Sequence, residues 1–268
     1  MQNFTLELSV LEWNKKKELK RAGLTSSKTI LFSGPPGVGK TLAVKWIARK
    51  LKLPVLTLNL ASVMSSLLGK TGNNIQRVFE IAKGTPCVLL LDEFDSIAKK
   101  RDDLTEVGEL KRLVTVLLQE IDNWSENSLL IAATNHQDLL DSAVWRRFDV
   151  TLSFGNPSQE AVEKAIRLYL GDSQEESEKM IPLLKIVLQG FSYSDIQRCL
   201  SQIRKNALLN NKQINAEILR YITDNIKGRD KGENIDLALQ LVHAGISQRR
   251  ASDITGISRD TIRKKEKH

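Results

Sequence analysis

Apolar residues fall along this chain in two rhythms. Between Lys28 and Phe154, short continuous apolar runs recur: KTILFS (28–33), PVLTLN (54–59), PCVLLLDEFD (86–95), SLLIAATN (128–135) and VTLSF (150–154). Each is bounded by glycine, proline or polar residues and reads as a buried strand. The segments between them place apolar residues three and four apart, as in TLAVKWIARKL (41–51), NNIQRVFEIAK (73–83) and ELKRLVTVLLQEID (109–122). That spacing predicts helices. Strands alternating with helices predict an α/β domain with a largely parallel sheet.

The rhythm changes at Asn156-Pro157. Beyond it the helical spacing continues without strand-like runs, through SQEAVEKAIRLYL (158–170) and SYSDIQRCLSQIRKNALL (192–209). Ser192 with Asp195 three residues on predicts a capping box at a helix start. KGRDKGEN (227–234) is polar, holds two glycines and reads as a linker. The predicted organisation is a helical lead-in over 1–24, an α/β domain over 25–155, a helical domain over 156–227, a linker over 228–234 and a small all-α domain over 235–268. Neither internal repeats nor low-complexity tracts interrupt it.

Composition adds few constraints. The 268 residues are 41% hydrophobic and 27% charged, ordinary for a soluble protein. Apolar runs fall well short of the roughly 18 residues that cross a bilayer, and the first residues lack the pattern of a secretory leader. Cys87 and Cys199 are too few and too far apart for a disulfide framework or zinc site and predict reduced core thiols in a cytoplasmic protein. The net charge of +8 points weakly to nucleic acid or acidic partners.

The candidate chemistry starts where the first run ends. Gly34, Pro35, Pro36, Gly37, Val38, Gly39, Lys40 and Thr41 fit G-x-x-x-x-G-K-[ST] between a strand and a helix, with Leu42 following. In such a loop, backbone N–H groups and the helix N-terminus surround phosphates. Lys40 is then expected on the β- and γ-phosphates of ATP, and the Thr41 hydroxyl on Mg²⁺. The third run ends in Asp92 and Glu93, at a strand end that lies beside the phosphate loop in sheets of this kind. Asp92 is expected to help hold Mg²⁺ and Glu93 to polarise the attacking water. An ordinary acidic loop is the alternative.

Over about residues 20 to 227 the chain resembles the AAA+ ATPases: GPPGVGKT and LLLDEFD are similar to that family's two nucleotide motifs. LLIAATN is similar to its sensor strand, which implies that Asn135 positions the water. LDSAVWRRFD (140–149) resembles the end of the second region of homology, which implies that Arg146 and Arg147 act as arginine fingers. Their adjacency is similar to the spastin/katanin branch, and surface ion pairing is the alternative role. The resemblance further implies a P-loop α/β domain with a helical lid, and a homo-oligomer, a hexamer, in which each subunit completes its neighbour's site. GFSYSDI (190–196) resembles the lid motif, with Tyr193 and Ser194 in place of glycine and alanine.

In protein-remodelling members, a loop after the second strand carries an aromatic residue that grips polypeptide. Here that position falls on Leu67, followed by Leu68. They either wedge against a threaded chain or pack on a neighbouring subunit. Lys70 stands where many members have an acid.

The final segment, DLALQLVHAGISQRRASDITGISRDTIRKKEKH (236–268), resembles a Fis-type helix-turn-helix. Ser247 and Ser258 are placed to cap helices, with Gly256 in the turn. From Ile246 on, seven Lys/Arg stand against three acids, a balance of +4. Arg259, Asp260 and Arg263 are expected to face bases, and Lys264 and Lys265 phosphates. A solvated basic face on a protein-docking module is the alternative. Two functional readings remain: a DNA-tethered remodelling ATPase, or an unfoldase serving a separate protease or effector.

Overall fold

In the computed structural model of the chain, residues 2–65, 71–96, 107–173, 176–226, 230–243 and 245–266 are described. They fall into two compact units, Met1–Gly155 and Asn156–His268.

The first unit is built on five parallel strands: β1 (Thr29–Ser33), β2 (Val55–Asn59), β3 (Val88–Asp92), β4 (Leu129–Thr134) and β5 (Val150–Ser153). Their order is β2-β3-β4-β1-β5. The apolar runs are continuous because both faces of the central strands are covered. Successive side chains point to opposite faces. Leu31, Leu89, Leu91, Leu130 and Ala132 join one core layer, with α5 (Thr71–Gly84) and α6 (Val107–Asp122). Ile30, Phe32, Val88, Leu90, Ile131 and Ala133 join the other, with α3 (Lys40–Leu51). Register brings Leu31, Leu91 and Ala132 level, so β1, β3 and β4 end together on one edge.

The lead-in forms α1 (Gln2–Asn14) and α2 (Lys16–Arg21). Leu6 and Trp13 of α1 are buried in the α3 layer, so the lead-in belongs to the same core. After β2 comes α4 (Leu60–Ser65). Leu67, Leu68 and Lys70 lie outside the described residues.

The second unit is helical: α8 (Gln159–Leu170), α9 (Ile181–Val187), α10 (Tyr193–Leu209), α11 (Ile214–Ile226), α12 (Lys231–His243), α13 (Gln248–Thr255) and α14 (Arg259–Glu266). α7 (Ser142–Trp145) belongs to the first unit. Ser192 caps α10 as expected, accepting from the Asp195 N–H at 3.2 Å.

Two expectations change here. The linker drawn over 228–234 is too long, because α12 already begins at Lys231. Asp230 and Glu233 form a reciprocal box: the Glu233 N–H donates to Asp230 Oδ1 at 2.8 Å, and the Asp230 N–H donates to Glu233 Oε2 at 3.3 Å. Two well-placed carboxylates thereby start a helix in a stretch whose glycines suggested a loop. The C-terminal helices also do not form a core of their own. Leu237, Ala238, Leu241, Ala251, Ile254, Ile257 and Ile262 share one buried cluster with Val162, Ile166, Leu184, Ile196, Ile218 and Ile222. Among the described residues no helix is long and apolar enough to cross a membrane.

Candidate nucleotide site

The loop between β1 and α3 is shaped by its glycines. Gly34 has φ +140, and a Cβ there would stand 2.0 Å from the carbonyl oxygen of Phe154. Only glycine allows the strand end to pass so close. Gly39, at φ +100, turns the chain into the N-terminus of α3. Val38 is buried and pins the loop to the α3 layer, while Pro35, Pro36, Thr41 and Leu42 are exposed.

Lys40 opens α3 and is only 8% exposed. Its ammonium donates to Gly34 O at 2.6 Å, Pro35 O at 2.9 Å and Asn135 Oδ1 at 2.8 Å. Burial pushes the Lys40 ammonium below the usual lysine range, and Asp92 and Asp95 pull it back. β1, β3 and β4 thus each send a polar group to the same edge.

At the end of β3 the backbone bends sharply. Glu93 takes a left-handed conformation, φ +55, uncommon for a residue with a side chain. The bend is held on both sides. Asp92 Oδ1 accepts from the Glu93 N–H at 2.9 Å, and the Phe94 N–H donates to Ala133 O at 2.9 Å. Phe94 is fully buried and meets Phe148 edge-on at 5.8 Å. A strained backbone held by a packed aromatic ring is a common way to aim a functional side chain.

Asp95 was not singled out from the sequence. It is 4% exposed, and its Oδ1 accepts from Thr134 Oγ1 at 3.1 Å and the Asn135 N–H at 3.2 Å. It ties the acidic turn to the end of β4 and so fixes where Asn135 sits. The available signal was a third carboxylate, three residues after Asp92 and two after Glu93, following an apolar strand.

The arginine pair sits elsewhere. Asp141 caps α7, accepting from the Val144 N–H at 2.9 Å, and Arg146 and Arg147 follow the helix. Asp149 Oδ2 then accepts from the N–H groups of Lys28 at 2.8 Å and Thr29 at 3.0 Å. This bolts the segment to the first residue of β1, whereas the glycine loop follows its last. At about 3.3 Å per residue those ends are roughly 13 Å apart. Lys40, Asp92, Glu93 and Asn135 therefore share one edge, and Arg146 and Arg147 are anchored at the other.

In the second unit, Arg259, Asp260, Arg263, Lys264 and Lys265 are all exposed on α14, while Ile262 is buried beneath them. Ser258 Oγ accepts from the Thr261 N–H at 3.3 Å, and Gly256 has φ +72 in the turn. Arg263 Nε donates to Gln248 Oε1 at 3.1 Å, and Gln248 Nε2 donates to Glu266 Oε2 at 2.8 Å.

The first site fits a nucleoside triphosphate with a magnesium ion. A glycine loop, a helix N-terminus and a buried ammonium suit phosphates, and the Thr41 hydroxyl and Asp92 carboxylate are hard oxygen donors of the kind Mg²⁺ takes.

Known proteins point the same way. Residues 30–156 match the family model described as "ATPase family associated with various cellular activities (AAA)". The chain is similar to the AAA family ATPase y4kL of Sinorhizobium fredii, 38% identical over 210 residues, covering 76% of this chain and 61% of that protein. It is also similar to the peroxisomal ATPase PEX6 of Saccharomyces cerevisiae, 32% identical over 235 residues, 82% of this chain and 22% of the relative. A proteasome-activating nucleotidase of Sulfurisphaera tokodaii is 31% identical over 226 residues, 81% of this chain and 58% of the relative. The chain thus spans less than two thirds of the length of each of these curated relatives.

Proposed function

We propose, taking the AAA ATPase domain of residues 30–156 as premise, that this chain is one subunit of a homo-oligomer, a hexamer, that hydrolyses ATP. In this reading it remodels a protein or protein–DNA substrate while held to duplex DNA by α13 and α14. The observation that carries the reading is the convergence of Lys40, Asp92, Glu93 and Asn135 on one sheet edge, locked by Asp95.

The loop N–H groups and Lys40 bind the β- and γ-phosphates. Thr41 and Asp92 would hold Mg²⁺, which when bound neutralises charge on those phosphates. Glu93, turned out of the strand line by its left-handed backbone, accepts the proton of the attacking water. Asn135 orients that water; its side chain already reaches Lys40 at 2.8 Å. The chain's own arginines are anchored a strand length from its own loop, which favours their use on a neighbouring subunit. A term of about 10³-fold or more rests on such a charge in related phosphoryl transfers. The adjacent pair supports placement with the spastin/katanin branch. Leu67 and Leu68 are the residues expected to touch substrate in the pore.

Remodelling of protein is supported by relatives named as a peroxisomal ATPase and a proteasome-activating nucleotidase. DNA tethering is supported by the exposed charges of α14 over a buried Ile262. The free, buried Cys87 and Cys199 suit a reducing cytoplasm. A second reading, an unfoldase whose tail docks on a protease or effector, draws support from the core that α12–α14 share with the preceding helices.

The decisive variant is Glu93→Gln. It is expected to bind a fluorescent ATP analogue as the parent does, to lose roughly 10³-fold in turnover and to accumulate as ATP-bound oligomer. Normal turnover would remove Glu93 from the chemistry.

A further inference from the structure

Arg146 and Arg147 are neighbours in sequence and identical in chemistry, and the fold treats them differently. Arg146 is exposed, and Nε donates at 3.2 Å to Ser142 O, one turn back on its own helix. Beyond that contact its side chain has no hydrogen-bond or ion-pair partner among the described residues. Arg147 is half-buried. Its Nη1 donates to Ala143 O at 2.8 Å, and its Nε, which makes no hydrogen bond among the described residues, lies 3.2 Å from Asp122 Oδ2 on α6 as an ion pair. Its carbonyl oxygen accepts from Thr29 Oγ1 at 3.3 Å. Both its side chain and its backbone are committed inside its own subunit.

Asp122 makes the arrangement more telling. It is the last residue of a 16-residue helix, where the helix dipole is negative and a carboxylate is disfavoured. A cation opposite it offsets that disadvantage. The neighbouring Glu120 has its own, Lys83, at 2.6 Å; Asp122 has Arg147. With Arg147 held against α6, Arg146 is left exposed on the turn that follows α7.

We propose that the two arginines divide the work. Arg146 is the group offered to the neighbouring subunit's nucleotide, and Arg147, latched to Asp122, is a positioning residue that sets the direction of Arg146. This rests on the hydrolysis reading above, and the test separates the two.

The test uses full-length protein and reads ATPase kcat and KM together with binding of a fluorescent ATP analogue. Arg147→Asp and Asp122→Arg, each alone, are expected to lower kcat about tenfold or more while KM and analogue binding change less than about twofold, the pattern of a lost transition-state interaction. The double variant, Asp122→Arg with Arg147→Asp, restores an opposite-charge pair and is expected to regain kcat to within about threefold of the parent. If Arg147 touched the neighbour's phosphate, a carboxylate there would repel it. The double variant would then be no better than Arg147→Asp, and the division of labour would be overturned. Should the single variants lose analogue binding, the isosteric Asp122→Asn replaces them: a several-fold fall in kcat at unchanged KM supports the latch, and an unchanged kcat overturns it.

Arg146→Ala reports on the underlying reading. It is expected to lose about 10³-fold in kcat and to regain activity when mixed with Lys40→Ala subunits, which supply arginines but cannot grip phosphate. Complementation without rescue by the charge swap leaves hydrolysis in trans standing and removes the latch. Full activity of Arg146→Ala alone removes both.

Discussion

The strand ends of the first unit and the outer face of α14 both gather charge, in opposite ways. At the strand ends the charged and polar groups are turned inward. Lys40 is buried under three acceptors, Asp95 is buried and accepts from Thr134 and Asn135, and Glu93 is held in a left-handed turn by the packing of Phe94. On α14 the charges point outward over a single buried isoleucine, and among the described residues Arg263 and Glu266 bond to Gln248. The first arrangement is a preorganised site that tolerates little change in shape. The second is an electrostatic surface, where total charge matters more than any one bond.

Substitutions can break that contrast. Of the two that test it, the larger effect is expected for Gly34→Ala. Its new Cβ would sit 2.0 Å from the Phe154 carbonyl oxygen, so the loop must move. Affinity for an ATP analogue is expected to fall about 100-fold or more, since misplaced positioning groups carry penalties of that order. Near-parent affinity would mean that the loop is not the rigid cradle described. A smaller effect is expected for Ile262→Ala, beneath the basic face. A large-to-small change at a fully buried position costs about 2–4 kcal/mol. Because α14 shares its core with α8–α11, the loss should appear in the melting of the whole second unit. A separate, earlier transition confined to α12–α14 would restore an independent C-terminal domain.

The same contrast explains what the sequence disclosed. The glycine loop, the acidic strand end and the strand that leads to Asn135 were legible as elements because each depends on short spacing: glycines and a lysine around one turn, or carboxylates at a strand end. The strand layers were legible because a sheet covered on both faces leaves continuous apolar runs. Asp95 and Asp122 were not, because their partners lie about 40 and 25 positions further along, and only the fold brings them together. Neither was the difference between Arg146 and Arg147, since chain adjacency says nothing about where side chains at a helix end point. The linker was drawn too long because two glycines in a polar stretch outweighed the Asp230–Glu233 box. The shared core of the second unit was hidden because an amphipathic helix does not disclose which neighbour covers its apolar face.

The central claim is that one protein joins an ATP-hydrolysing site to a DNA-binding face. Since α12–α14 belong to a shared core, the face is best removed by surface substitution, Arg259, Arg263, Lys264 and Lys265 to Ala, leaving the fold intact. The most direct measurement is the steady-state ATPase rate of the full chain and of this variant, each with and without duplex DNA. The account predicts ATPase activity in both proteins, DNA binding and a DNA-dependent change of rate in the parent, and neither DNA effect in the variant. No turnover in the parent, or identical responses to DNA in parent and variant, would contradict it.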